Sequence, residues 1–226
     1  MRTSKSSHRL NFLITAGGTR EYIDPVRFIS NASSGRMGYE LAWAAAEAGH
    51  KATLITGPSS LAAPVGVRVI DVETSAEMFA AVRENFDSCD CLIMAAAVSD
   101  YTPVRTAKSK IKKSSKMITL KLKPTPDILK WAGENKKVKS KKEKGKKKII
   151  VGFALEDKNI RANAERKMRD KNLDMIVANT PKAISRLKAS VEIKTRKGRW
   201  ISVRRTGKRV IAGRIIRMIE QVMQAD

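Results

Sequence analysis

The chain has 226 residues, of which 42% are hydrophobic and 30% charged, enough for one sizeable domain with a buried core or two small ones. Its formal net charge of +24 is typical of proteins that bind nucleic acid. Only 5% of the residues are aromatic, however, and no basic stretch is interleaved with aromatics that would stack bases. A solvated basic surface and contact with RNA or anionic metabolites therefore both stay open. No apolar run reaches the roughly 18 residues that cross a membrane, which argues against a membrane-spanning helix.

The first nine residues have the character of a basic tail rather than a signal peptide, and a single domain is predicted over residues 10–226. Cys89 and Cys91 lie two apart, so on a strand they face the same side and cannot easily pair. We expect them to be buried thiols in a reducing cytoplasm. The chain has no CxxC, and its two histidines are far apart in the sequence, so a metal site built from protein ligands alone is not expected.

Apolar strands alternate with helical patterns in the first half of the chain. The predicted elements are a strand over 10–16, a helix over 35–48, strands over 51–57 and 67–72, a helix over 75–86 and a strand over 91–98. This alternation predicts right-handed crossovers and an α/β fold: a Rossmann-like, doubly wound, mostly parallel sheet covered on both faces.

The second half adds an inserted β arm and a C-terminal hairpin plus helix. Within the arm, residues 110–123, apolar residues alternate with polar ones, which predicts a half-exposed antiparallel strand. A Lys-rich surface loop is predicted over 134–148, because 136–148 alone holds nine Lys and one Glu. The other predicted elements are helices over 125–133, 159–173 and 208–224, buried strands over 148–156 and 174–180, and a hairpin over 191–205.

The stretch "FISNASSGRMG", residues 28–38, places an amide, three hydroxyls and glycines where the first helix begins. Ser and Asn are ordinary helix caps, so a plain capped helix is one interpretation. The alternative is an anion site, because unpaired N–H groups at a helix start carry partial positive charge. The groups that could then meet a phosphate are the hydroxyls and N–H groups of Ser33, Ser34, Gly35 and Gly38.

Polar or glycine-rich segments also follow the other predicted strands: "TAGGTRE", "AAAVSDY", "GFALED" and "ANTPK". Ligands of doubly wound sheets bind at the carboxyl ends of the strands, so these segments predict one site. The fingerprints G-x-G-x-x-G and G-x-x-x-x-G-K-[ST] are absent, which argues against a plain nicotinamide oxidoreductase and a P-loop enzyme. No Ser-His-Asp set is evident, and His8 and His50 are predicted to be structural.

Several single residues have two interpretations each. Asp100, after an apolar strand, suits a Mg²⁺ or hydroxyl ligand or an ordinary turn. Lys110 and its basic neighbours suit polyphosphate contacts or a solvated face. Lys167 and Lys171, four apart on a predicted helix, share a face that could bind a ligand or only carry surface charge. Phe153 at a strand end could stack on a base or pack in the core.

Together these segments resemble phosphopantothenoylcysteine synthetase, also called phosphopantothenate–cysteine ligase. The matching strings are "TAGGTREYIDPVRFISNASSGRMG", "AAAVSDY", "KIKK", "PDIL", "VGFALE" and "LDMIVANT", in the family order over residues 10–180. The resemblance implies a ligase of coenzyme A biosynthesis that joins 4′-phosphopantothenate to L-cysteine. The carboxylate first attacks the α-phosphate of a nucleoside triphosphate, giving an acyl-nucleotidylate (acyl-CMP where the nucleotide is CTP) and pyrophosphate. The cysteine amine then displaces the nucleotide.

The resemblance also implies cofactors and site residues. It implies Mg²⁺ and CTP or ATP as co-substrate, with no flavin. Asn31 and Lys110 are the expected catalytic residues: Asn31 binds phosphopantothenate and the acyl intermediate, and Lys110 assists its formation. The implied nucleotide-binding positions are Gly17, Ser33, Gly35, Gly38, Asp100, Lys110, Pro126, Asp127, Ile128, Leu129, Phe153, Lys167, Lys171 and Asn179. The implied substrate contacts are Asn31, Ala96, Ala97 and Asp100, and Asp100 is also the expected metal ligand.

A homodimer is implied as well, because Arg27 matches an arginine that reaches into the partner's site, and the arm at 110–123 would join that contact. Bacterial members often carry an N-terminal flavin-dependent decarboxylase. Only nine residues precede the first strand here, so a separate decarboxylase is expected. The segment "TPKAISRLKAS" after Asn179 lacks the usual Phe-Gly and Asp-rich loop. The alternatives are a nucleic-acid-binding protein that reuses the fold and a flavin or nicotinamide oxidoreductase.

Overall fold

The computed structural model of the chain describes residues 9–136, 148–181 and 187–225. The predicted basic tail except its last residue, most of the Lys-rich loop and part of the segment after Asn179 lie outside the described residues.

The elements follow the predicted alternation of strands and helices. In chain order they are β1 (Asn11–Ala16), β2 (Arg20–Tyr22), β3 (Phe28–Ser30), α1 (Arg36–Glu47), β4 (Lys51–Thr56), β5 (Arg68–Asp71), α2 (Ser75–Phe86), β6 (Cys91–Met94), β7 (Tyr101–Pro103), β8 (Leu122–Pro124), α3 (Ile128–Glu134), β9 (Ile149–Leu155), α4 (Ile160–Asp170), β10 (Met175–Asn179), β11 (Lys188–Thr195), β12 (Ile201–Gly207) and α5 (Lys208–Ala225).

One sheet of eight strands, in the order β12-β11-β10-β9-β6-β1-β4-β5, forms the centre of the described structure. The six strands from β10 to β5 are parallel, whereas the hairpin β11–β12 pairs antiparallel beside β10. The predicted Rossmann-like α/β fold with its C-terminal hairpin and helix is confirmed.

Helices pack on both faces of the sheet. Neighbouring residues of a strand point to opposite faces, so each face has its own core cluster. Ile14 of β1 packs in the core cluster that contains α1 and α5, and Leu13 packs in the cluster that contains α2, α3 and α4. In α5 the buried stripe includes Ile211, Ile215 and Ile219. Val210, predicted to share this face, is 60% exposed instead.

Glycines set the close approach of α1 to β1. A Cβ on Gly38 would lie 2.5 Å from the Ala16 Cβ and 2.8 Å from the Thr15 carbonyl oxygen, so only a glycine lets the helix pack at this distance. Gly17, directly after β1, has a φ of +78°, and a Cβ there would lie 2.8 Å from the carbonyl oxygen of Gly57. The start of α1 is thereby held at the carboxyl end of β1.

The inserted β arm is confirmed, but its strand is shorter and lies later than predicted. Only β8 pairs, antiparallel to β7, and residues 110–121 form no strand. Ile118 and Leu120 are exposed by 56% and 40%, so the alternation in this segment does not mark a buried sheet face. The short pair β2–β3 was not predicted.

The predicted strand over 91–98 also ends early, at Met94. Beyond it the backbone leaves the ladder, because the N–H of Ala96 donates to the Thr15 hydroxyl at 3.1 Å. The N–H of Ala97 donates to the carbonyl of Gly17 at 2.8 Å. The segment after β6 therefore runs beside the loop that follows β1.

The two ends of the predicted Lys-rich surface loop are buried rather than solvated. The Lys136 ammonium donates to both carboxylate oxygens of Asp174, at 2.8 and 2.9 Å. Lys148 donates to the carbonyls of Asp87 and Cys89, at 2.9 and 2.7 Å. These lysines anchor the chain on either side of residues 137–147.

Two smaller expectations are also met in the described residues. Cys89 and Cys91 are buried free thiols, and burial raises the pKa of Cys89 to about 12. His50 is structural, since its Nε2 lies 2.8 Å from the Glu220 carboxylate. Among the described residues no helix is both long and apolar enough to span a membrane.

Candidate active site

A cavity of about 640 Å³ lies at the carboxyl ends of β6, β9 and β10. Its lining includes the loop before α1 with the first turn of that helix, the segment after β6, the start of α3, the inner side of α4 and the first residue of α5. The structure thus brings together segments that are far apart in the sequence.

The start of α1 faces the cavity without a side-chain cap. Its N-cap is Gly35, in the left-handed region at φ +75°, and no acidic residue lies in the first turn. The Ser33 hydroxyl accepts a hydrogen bond from the Gly35 N–H at 3.3 Å instead of capping the helix. The plain capped helix is therefore not what forms here, and the helix start presents its positive end to the cavity.

Asn31 joins the loop before α1 to the segment after β6. Its side-chain amide donates to the carbonyls of Ala97, at 3.3 Å, and Val98, at 3.1 Å. Ala96 and Ala97 line the cavity beside it, and Asp100 contributes an exposed carboxylate.

Two lysines line the α3–α4 side. The Lys167 ammonium donates to the carbonyl of Phe153 at 2.8 Å, and Lys171 forms an ion pair of 2.8 Å with Asp127, the N-cap of α3. Burial lowers the pKa of Lys167, and the neighbouring charge of Lys171 lowers it further. Although burial alone raises the pKa of Asp127, the Lys171 hydrogen bond, the Lys130 N–H and both lysine charges lower it overall.

Most of the remaining predicted site residues also line the cavity: Pro126, Ile128, Leu129, Phe153 and Asn179. The Phe153 ring packs partly against the core cluster of α1 and α5, which supports core packing, and its stacking on a base stays a prediction. Gly17 and Gly38 do not line the cavity: Gly17 packs closely against Gly57, and Gly38 lets α1 approach β1.

Lys110 and Arg27 do not line this cavity in the single chain. Arg27 binds the carboxylate of Asp24 with its guanidinium and donates to the carbonyl of Ile111 at 2.6 Å. The bond from the Arg27 side chain, together with bonds from the backbone N–H groups of Val26, Arg27 and Ile111, holds the pKa of Asp24 well below its usual range. Arg27 thereby fixes the segment that carries Lys110.

Sequence reasoning missed Arg36, Glu156 and Lys208, all of which line the cavity. Arg36 and Glu156 lie within the quoted motifs and could have been found there. Lys208 begins α5, far from every motif, and only the packing of α5 beside α1 reveals it.

The fit to Mg²⁺ rests on the donor set. Among residues 9–136, 148–181 and 187–225 no cluster of three or more His, Cys, Asp or Glu could hold a metal ion. The carboxylate of Asp100 lines the cavity and is an oxygen donor of the type that Mg²⁺ prefers, so its role as a metal ligand stays a prediction.

Comparison with known proteins identifies the family. Residues 8–223 match the family described as the DNA/pantothenate metabolism flavoprotein C-terminal domain. The chain is 46% identical over 182 residues to the coenzyme A biosynthesis bifunctional protein CoaBC of Bacillus subtilis, covering 80% of this chain and 43% of the relative. It is 47% identical over 181 residues to a protein named cysteine/cysteine sulfinic acid decarboxylase from an unknown prokaryotic organism, covering 80% and 48%. The chain therefore spans less than half the length of these relatives.

Two solved structures are similar to this chain in fold. The crystal structure of the C-terminal domain of CoaBC superimposes with a TM-score of 0.81 at 34% identity, covering 98% of this chain and 100% of that one. A mutant of Cab2 in complex with phosphopantothenate-cysteine shares the fold, with a TM-score of 0.75 at 17% identity, covering 96% of this chain and 88% of that one. The chain thus belongs to the DNA/pantothenate metabolism flavoprotein C-terminal domain family and is homologous to the C-terminal domain of CoaBC.

Proposed function

We infer that the chain is a phosphopantothenate–cysteine ligase of coenzyme A biosynthesis. The observation that carries this proposal is the cavity itself. It combines an amide fixed between two segments, an uncapped helix start and two lysines on the opposite side, in a family member 34% identical to the CoaBC C-terminal domain. Such a site suits two anionic substrates that react with each other.

In the first step, the carboxylate of 4′-phosphopantothenate attacks the α-phosphate of the nucleoside triphosphate. A P–O bond forms, pyrophosphate leaves, and an acyl-nucleotidylate results. Lys167 and Lys171 stand where they can spread the negative charge of the triphosphate. Bound Mg²⁺ would supply further charge neutralisation, held by the nucleotide phosphates with Asp100.

In the second step, the amine of L-cysteine attacks the acyl carbon. The amide forms, the nucleoside monophosphate leaves, and the amine loses a proton. The bonds from its side-chain N–H groups to the carbonyls of Ala97 and Val98 fix Asn31 at the cavity, where we propose that it positions the acyl group while the amine approaches. The backbone of this segment is fixed by the bond from Ala97 N–H to Gly17, which favours a single geometry.

Lys110 is proposed to act in the first step from the segment that Arg27 fixes. In the single chain this segment is exposed and lies away from the cavity. A homodimer in which a partner's arm approaches the cavity would supply it. Exposed apolar residues on β3 and the arm offer a surface for such a contact: Phe28, Met117, Ile118, Leu120 and Leu122.

The test of this function is product formation. The purified protein is incubated with 4′-phosphopantothenate, L-cysteine, Mg²⁺ and either CTP or ATP, and the amide product is measured by mass spectrometry. We expect product that needs all components, with faster formation in the CTP reaction. Absence of product with both nucleotides from folded protein would refute the proposal, and equal rates would refute the preference for CTP.

A further inference from the structure

One stretch of the chain carries a dense positive charge that the proposed ligase reaction does not use. Residues 204–217, "RRTGKRVIAGRIIR", contain five Arg, one Lys and neither Asp nor Glu. They form the end of β12 and the first part of α5. The lysine is buried, whereas all five arginines are exposed and together form what we call the arginine surface: Arg204, Arg205, Arg209, Arg214 and Arg217.

These arginines lie on adjoining parts of the fold. The edge strand β12 ends one residue before α5 begins, so Arg204 and Arg205 directly precede the helix that carries the other three. Arg214 and Arg217 are three residues apart and share one side of α5, about 12 Å along the helix axis from Arg209 to Arg217. Since the inner stripe of α5 packs in the core, the arginines occupy its outer side.

The charges of this surface are nearly unopposed in the part of the chain that the structure describes. The Arg209 guanidinium lies over the Trp43 ring, 3.2 Å from its centroid, and reaches the Glu47 carboxylate at 3.7 Å. The side chains of the other four arginines make no ion pair or hydrogen bond with the described residues. Glu220, the only acidic residue in the sequence of α5, lies 2.8 Å from His50 Nε2. Such a group of like charges attracts a polyanion.

The residue type favours phosphate as the group that is bound. The other dense basic segments, 110–123 and 136–148, contain lysine and no arginine. A guanidinium presents a planar fork of N–H donors that binds two phosphate oxygens at once, whereas an ammonium acts as a point charge. The change from lysine to arginine at this surface therefore indicates recognition of phosphate geometry in addition to charge.

The exposed apolar groups argue against a protein or a membrane as the partner. Val210 is the only large exposed hydrophobic residue of α5 in the described part of the chain. The helix thus lacks the apolar anchors of a protein interface and an outward stripe that could enter a bilayer. The ring of Trp43 is covered by Arg209, so the bases of a single strand would find no aromatic ring to stack on at this surface.

The shape of the surface distinguishes between the two kinds of duplex. The inner side of α5 is packed against α1 and the sheet, so the helix forms a shallow ridge that cannot enter the deep major groove of DNA. An RNA duplex offers a wide, shallow minor groove lined by 2′-hydroxyls. Gln221 and Gln224 are exposed on the same side of α5, and their amides can both donate to and accept from a hydroxyl.

We propose that the arginine surface, together with Gln221 and Gln224, binds double-stranded RNA through its phosphates and 2′-hydroxyls, without preference for base sequence. Among the residues that the structure describes, the lining of the ligase cavity contains none of the five arginines, so the two sites are separate. The proposal assigns a role to part of the net charge of +24 and does not depend on the ligase function.

The test is fluorescence anisotropy of a labelled RNA duplex of about 20 base pairs, titrated with the full chain at several KCl concentrations. The variant is Arg214→Gln with Arg217→Gln, and the matched control is Lys51→Gln with Arg83→Gln, which removes two exposed cations from β4 and α2. We expect the arginine variant to bind about tenfold more weakly and to reduce the slope of log K against log salt by about two. The control should stay within about twofold of the wild type.

Further variants and ligands identify the surface and its partner. Arg214→Lys with Arg217→Lys keeps the charge and should keep the salt slope while losing part of the affinity. Lys121→Gln with Lys123→Gln, in the arm, should behave as the control does. Wild-type affinity of the arginine-to-glutamine variant, or equal losses in all three glutamine variants, would overturn the arginine surface. A DNA duplex, single-stranded RNA and phosphatidylserine vesicles are titrated in parallel, and binding of any of them as tightly as the RNA duplex would overturn the assignment to double-stranded RNA. The Tm of each variant shows that it is folded.

Discussion

The side-chain amide of Asn31 donates a hydrogen bond of 3.1 Å to the carbonyl of Val98, across 67 residues of sequence. Asn31 belongs to the loop before α1, and Val98 to the segment after β6. A second bond, to Ala97, fixes the amide from the same side. The polar group of the loop is therefore positioned by the strand-end backbone, where the acyl group of the proposed intermediate would lie.

Asn31→Ala should slow amide formation more than it slows pyrophosphate release, because the amide is proposed to hold the acyl group for the second step. Both half-reactions can be followed by rapid quench in a single turnover. The matched control is Asn85→Ala on α2, which removes an equivalent side-chain bond to a carbonyl, of 2.8 Å, outside the cavity. Equal loss of the two half-reactions would contradict the assigned role.

Lys171→Met should raise the KM for the nucleotide about tenfold, since it removes a cation and leaves the Asp127 carboxylate without its ion pair. The KM for phosphopantothenate should change little. The pKa of Asp127 should rise in the variant toward its ordinary value, because the hydrogen bond and charge that lower it are lost. Arg169→Met, an exposed cation two residues away, serves as control. Similar changes in both KM values would place Lys171 outside a nucleotide site.

Asp24→Asn should lower the Tm at neutral pH, because the carboxylate accepts bonds from Arg27 and from the N–H groups of Val26 and Ile111. The pKa of Asp24 lies well below its usual range, so its contribution is complete above the unfolded pKa of about 3.9 and is lost as the pH falls through the folded pKa. The Tm difference between wild type and variant should thus be constant from pH 7 to pH 5 and shrink as the pH falls below about 4. Thermal melts from pH 7 down to about pH 2 check this, with Asp71→Asn at the exposed end of β5 as control. A difference that stays the same below about pH 4 would show that the pKa is not depressed.

Gly38→Ala and Gly213→Ala should change stability in opposite directions. Both glycines lie inside helices, where alanine is favoured by up to about 1 kcal/mol. At Gly38 the new Cβ would meet Ala16 and Thr15, and overpacking of this kind costs about 1–3 kcal/mol. At Gly213 the nearest contact is Arg217 Nη1 at 3.7 Å, so the helix propensity prevails. Chemical denaturation measures both, and stabilisation by Gly38→Ala would mean that α1 does not approach β1 this closely.

The sequence predicts the sheet well because the signals for buried strands and amphipathic helices are local. It places "LNFLITA" and "DMIVANT" as buried strands, and both lie in the central sheet. It fails at residues 110–121, where alternation suggested a strand that the structure does not form. A period-two pattern indicates a sheet face only when a neighbouring strand is available to pair with it.

Site residues that lie in sequence motifs were predicted, and residues that reach the cavity only through packing of the fold were missed. Asp127 and Lys171 were expected from their strings, but their ion pair depends on the approach of α3 to the end of α4, at Gly133. Lys208 carries no local signal, since a lysine at a helix start is ordinary. Its place in the cavity lining follows only from the packing of α5 beside α1.

The central claim is that the chain activates a carboxylate by transferring a nucleotidyl group to it, and pyrophosphate release without cysteine tests it most directly. Enzyme at a known concentration of sites is mixed with an excess of 4′-phosphopantothenate, Mg²⁺ and CTP or ATP, and pyrophosphate is quantified over time. We expect a burst approaching one pyrophosphate per site that requires phosphopantothenate and is absent with pantothenate. Release that is independent of phosphopantothenate, or that occurs only after cysteine is added, would contradict an acyl-nucleotidylate as the first intermediate.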